Sequence, residues 1–116
     1  MKSPVLTILL VILAFPVYLF AHSPDSITLS HEKDEDREFL KITVSHDVRN
    51  VERHYVESIT ITVNDEELEE LTFSYQETDE FHSIEYEVSG LNPGDVVKIE
   101  ASCSRIGSAS EEFTIE

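Results

Sequence analysis

From residue 26 onwards apolar and polar residues alternate with a period of two, and no stretch carries the 3.6-residue period of a helix. Leu40, Ile42 and Val44 alternate with Phe39, Lys41 and Thr43; Ile59, Ile61 and Val63 with Ser58, Thr60 and Thr62; Val97, Ile99 and Ala101 with Lys98, Glu100 and Ser102. Successive side chains of a strand point to opposite faces, so each run buries one face and wets the other. Weaker alternation covers Ser26 to Ser30, Leu68 to Tyr75 (with Leu71, Phe73 and Tyr75 on one face), His82 to Val88 and Glu111 to Ile115. Asn64-Asp65, Thr78-Asp79, Gly90 to Asp95 and Gly107-Ser108 supply turns between them. Seven short strands at intervals of roughly 8 to 12 residues predict an all-β fold, a seven-stranded antiparallel β-sandwich of immunoglobulin type.

Residues 1–21 read differently. Lys2 precedes an apolar run from Val5 to Phe20, broken only by Thr7 and Pro16, and Ala21 stands before the polar stretch His22-Ser23-Pro24-Asp25. This is the pattern of an export signal, or of an N-terminal anchor if it stays uncleaved. The expected organisation is therefore a signal peptide or anchor over 1–21 and one domain over 22–116. The domain is expected outside the membrane, whether extracellular, periplasmic or anchored facing outward, and residues 1–21 are its only expected contact with lipid. The chain holds 24 acidic and 8 basic side chains, a formal charge of −16. Such a charge excludes direct nucleic-acid binding, because phosphates would be repelled rather than neutralised. A single cysteine, Cys103, excludes an intramolecular disulfide.

If consecutive strands run antiparallel, their connections fall alternately at the two ends of the sandwich. Counting from Ser26 places His22, His46, His54, His82 and Cys103 at one end and His31 at the other. Strand parity sharpens the grouping. His46 continues the inward set Leu40, Ile42, Val44; Cys103 continues Val97, Ile99, Ala101; His82 shares the parity of Ile84, Tyr86 and Val88. Imidazoles with one thiolate suit iron, copper or zinc and suit calcium or magnesium poorly.

At this point the residues carry a resemblance. His22-Ser23-Pro24, His46, the run His54-Tyr55-Val56-Glu57-Ser58-Ile59 and the late Cys103 resemble the iron-binding domain of desulfoferrodoxin and the superoxide reductases. The resemblance implies a seven-stranded immunoglobulin-like sandwich in which Fe2+/Fe3+ is held by equatorial histidines and an axial cysteine. On that basis His22, His46 and His54 are expected as equatorial ligands and Cys103 as the axial thiolate, with His82 a candidate additional ligand. The closing motif is degenerate: Ile106 stands where the family has its fourth histidine, and His46 is followed by Asp47 rather than proline.

The implied function is an exported non-haem iron-binding redox protein that reduces superoxide to peroxide, with an electron-donor protein as partner. The alternatives are a non-catalytic envelope module binding copper or another metal, in which His22 with His46 or His54 dominates, and a plain immunoglobulin-like interaction domain. Arg49, Arg53 and Arg105 map to the same end as the histidines, where they can attract superoxide or another small anion. The run Glu66-Glu67-Leu68-Glu69-Glu70 reads as a solvated edge that discourages sheet-to-sheet association.

Overall fold

A computed structural model describes residues 23–116; the expected signal or anchor over 1–21 and the expected ligand His22 lie outside the described residues. Seven strands follow in order: β1 (Ser26–Asp34), β2 (Arg37–Ser45), β3 (Val56–Val63), β4 (Glu66–Thr72), β5 (Phe81–Val88), β6 (Val96–Cys103) and β7 (Ser108–Thr114). They form two sheets, ordered β1-β2-β5 and β4-β3-β6-β7, and every pairing is antiparallel. The inward residues of both sheets share one buried cluster, with Leu40, Ile42 and Val44 from the first sheet and Val56, Ile59, Ile61, Val97, Ile99 and Ala101 from the second. All nine have no exposed surface. This is a sandwich-like arrangement in which burial of two apolar faces drives the sheets together.

Turn chemistry sets the hairpins. Asn64 and Asp65 both take positive φ, 49° and 68°, the type I′ pattern whose twist matches that of the flanking strands. Asn64 also ties this turn to the β5–β6 connection, since its Nδ2 donates to Asp95 Oδ1 (3.0 Å) and its Oδ1 accepts from Val96 N–H (2.9 Å).

Two elements depart from the expected boundaries. β1 runs on to Asp34, pairing His31 with Leu40, so His31 sits within a strand that was expected to end at Ser30. The segment Ser30 to Asp34 is polar on both faces and carries no alternation for a sequence reading to find. β4 stops at Thr72, three residues before the expected end, and Tyr75 is 59% exposed rather than inward. After Phe73 donates its N–H to Glu57 O (2.9 Å), the chain turns and Gln76, not Tyr75, enters the interior. The acidic run forms most of β4, which is an edge strand, in keeping with its expected role.

Candidate metal centre

The end of the sandwich that carries the β2–β3 and β6–β7 connections gathers three of the expected residues. His46 directly follows β2, and its N–H donates to Glu80 O (2.9 Å), extending the β2–β5 pairing by one step and burying the ring. Cys103 is the last residue of β6, paired with Val56 across a register shift in β3, and is also buried. His54 closes a tight turn in which the N–H groups of Arg53 and His54 both donate to Asn50 O, while Asn50 Oδ1 accepts from Glu52 N–H. The hydrogen bonds Tyr55 N–H to Ser104 Oγ (3.1 Å) and Ser104 N–H to Tyr55 O (2.8 Å) lock that turn to the loop after Cys103.

One potential ligand atom from each of His46, His54 and Cys103 lies within 4.8 Å of the other two, the only such group of His, Cys, Asp or Glu among the described residues. His54 Nε2 and Cys103 Sγ are 3.0 Å apart, and the His46 and His54 rings meet edge to face with centroids 4.7 Å apart. A single ion bonded at about 2.0–2.1 Å to nitrogen and about 2.3 Å to sulfur holds those two atoms roughly 3.1–3.6 Å apart. The pair therefore sits close to a coordinating separation, and this group of two imidazoles and a thiol can bind a metal ion. Arg105 N–H also points at Cys103 Sγ (3.4 Å).

Gln76 fixes the state of His46. Its Nε2 donates to two backbone carbonyls, His46 O (2.7 Å) and Thr78 O (2.9 Å), which determines the amide's orientation without reference to the imidazole. Its Oε1 then faces Val56 N–H (3.1 Å) and His46 Nδ1 (2.9 Å). An oxygen cannot donate there, so His46 Nδ1 carries a proton, and Nε2 is the nitrogen that can offer a lone pair to a metal. This is the outer-shell support that orients a ligating histidine. Gln76, 1% exposed, was missed in the sequence reading because it lies past the end of β4, where strand parity no longer applies. The available signal was that it is the only glutamine of the chain.

His82 is at the same end but outside the three-residue group. Its Nδ1 accepts from Glu77 N–H (3.0 Å) and its ring packs against Phe73 with centroids 4.4 Å apart. Burial pushes its pKa down, opposed by the Glu77 carboxylate. Glu77 is itself held below its ordinary value by the hydroxyl and N–H of Ser83. Ile106 is 65% exposed at the tip of the Cys103 loop. Gly107, at φ 103°, closes that loop by accepting Cys103 N–H, and a side chain there would collide with Ser23, the covalent neighbour of His22.

Comparison with known proteins finds no family model, no curated protein and no solved structure that matches this chain.

Proposed function

We propose that this chain is an exported, immunoglobulin-like metal-binding domain, and that its metal is a redox-active iron held by His46, His54 and Cys103, with His22 as a further ligand. The observation that carries this reading is that His46, His54 and Cys103, from three separate segments, each bring a potential ligand atom within 4.8 Å of the other two. The packing of Ser23 against Gly107 supports the His22 assignment, because Ser23, the next residue in sequence, lies beside the Cys103 loop. Held by His46, His54 and Cys103, ferrous iron would supply one-electron reducing chemistry towards superoxide. In that reading Gln76 presents His46 Nε2, the Tyr55–Ser104 pair holds His54 against Cys103, and Arg105 N–H donates to the sulfur.

A second reading is a non-catalytic module for copper or another metal. It is favoured by Ile106, an exposed apolar residue at the position where the resembling family has a histidine.

Anaerobic loading of the full chain with Fe(II), then oxidation and an absorption spectrum beside Cys103→Ser, tests the proposal. One iron per chain, with a visible thiolate-to-iron band absent from Cys103→Ser, is expected. Absence of stoichiometric iron overturns the iron reading. Tight copper binding that survives Cys103→Ser establishes the second one.

A further inference from the structure

The connection that carries His54 and Arg105 of the loop after Cys103 border an open cleft of about 460 Å³. Arg49, Arg53 and Arg105 line it together with Asn50, Asp47 and His54. Three of the chain's four arginines therefore meet in one place, in a molecule with three times as many acids as bases.

Their pairing is as informative as their position. The ion pairs among the described residues use His31, Arg37 and Lys41, and none uses Arg49, Arg53 or Arg105. Arginines that served only to screen acidic neighbours would be expected to lie against carboxylates. Asp47 is the only acid among the residues lining the cleft, with Glu52 in the same turn and Asp79 against Val48 in the flanking chain. The volume falls in the range of about 300–1,000 Å³ usual for small-ligand sites, well above what a diatomic anion fills. Guanidinium groups match the planar, bidentate geometry of carboxylate and phosphate oxygens. At physiological ionic strength charges more than about 8 Å away are largely screened, so the acids at the far end of the sandwich do not cancel the three arginines.

We propose that the cleft between the His54 turn and the Cys103 loop is a binding site for a small polyanion bearing two or more carboxylate or phosphate groups, gripped by Arg49, Arg53 and Arg105. His54 belongs to both the cleft wall and the candidate metal group, so a bound polyanion lies one side chain from that group. The anion site does not require the metal, and the two proposals fail independently.

Calorimetric titration of the metal-free full chain at about 0.15 M salt tests it, with citrate as the carboxylate probe, pyrophosphate as the phosphate probe and acetate as the monoanion control. Saturable binding of one citrate or pyrophosphate per chain, without comparable acetate binding, is expected, and the tighter probe identifies the anion class. Arg53→Gln with Arg105→Gln is expected to weaken binding by about tenfold or more, because charge-assisted hydrogen bonds are lost. Both side chains are exposed, so the fold tolerates the change. Lys98→Gln, on exposed β6 surface outside the cleft, is expected to leave affinity unchanged. Failure of both probes to saturate overturns the proposal, as does an equal loss in Lys98→Gln. Anion binding that persists in Cys103→Ser with iron binding gone upholds the cleft while testing the metal site separately.

Discussion

Gln76 partners four groups with one amide, three of them buried and the Thr78 carbonyl half-buried, and it orients His46 so that Nε2 is presented. Gln76→Leu removes every one of those partners while keeping similar bulk. Urea unfolding should show a loss of about 3 kcal/mol, since each stranded buried polar group costs about 1–3 kcal/mol and water re-satisfies some of them. Metal affinity should fall by about 10- to 100-fold, the usual effect of losing a partner that orients a ligating histidine. A variant with wild-type metal affinity would show that His46 is not a ligand or that its tautomer is set elsewhere. His82 gives the residue scale a pH dependence. Its folded pKa is depressed chiefly by burial, so the unfolded chain, with histidine near about 6.5, takes up a proton first. The His82 contribution to stability is thus fully present above about pH 6.5 and is lost as pH falls through the depressed folded value. Glu38, Glu77 and Asp95 also have lowered values, through donors from His31, Ser83 and Asn92 respectively, but their contributions are lost only below the carboxylate range. Unfolding curves between pH 8 and pH 5 on the protein and on His82→Gln separate the groups. The variant should have the shallower slope, and an unchanged slope would remove His82 as its source.

Elements differ in how much of their pairing a side-chain pattern can reveal. β2, β3 and β6 were legible because Leu40, Ile42, Val44, Ile59, Ile61, Val97, Ile99 and Ala101 are fully buried on one face and alternate with polar neighbours. The same parity carried His46 and Cys103 into the interior at one end, so two of the three grouped side chains were readable from the strands that lead to them. His54 lies in a turn held by Asn50, where parity says nothing; its place came from counting chain reversals and from the HYVESI resemblance. Gln76, the end of β4 and the outer half of β1 were illegible for a shared reason: hydrogen bonds to backbone groups, not an apolar face, decide those segments. Two substitutions test the turns that join these elements. Asp65→Gly should stabilise the protein by about 0.5–1 kcal/mol, because glycine takes the second left-handed position of a type I′ turn without steric cost. A destabilised variant would mean that the Asp65 side chain supports the turn. Gly107→Ala should cost at least about 1–2 kcal/mol for the positive φ alone, with a further penalty from contact with Ser23. Since Gly107 O accepts Cys103 N–H, this variant should also weaken metal binding more than its stability loss accounts for.

At the scale of the molecule, charge is the dominant long-range term. The formal charge is −16, and the ion pairs that offset it among the described residues are few. Arg37–Glu87 and Lys41–Glu32 have side chains more than half exposed, so each adds little. Mutual repulsion of like charges in a compact body therefore exceeds local attraction, and it relaxes on unfolding. Added salt screens that repulsion, since the Debye length falls from about 30 Å at 0.01 M to about 3 Å at 1 M. The melting temperature should accordingly rise as sodium chloride increases over that range, with most of the gain complete where the Debye length drops below the spacing of neighbouring carboxylates. The edge strand β4 isolates the cause, because Glu66, Glu67, Glu69 and Glu70 are all exposed and lie outside the candidate metal group. Glu70→Lys reverses one of them without touching the core, and should raise the melting temperature at low salt by an amount that vanishes at high salt. If salt instead lowers the melting temperature, favourable ion pairs outweigh the net repulsion. If Glu70→Lys gives a gain that salt does not remove, its effect lies in strand propensity or packing rather than charge.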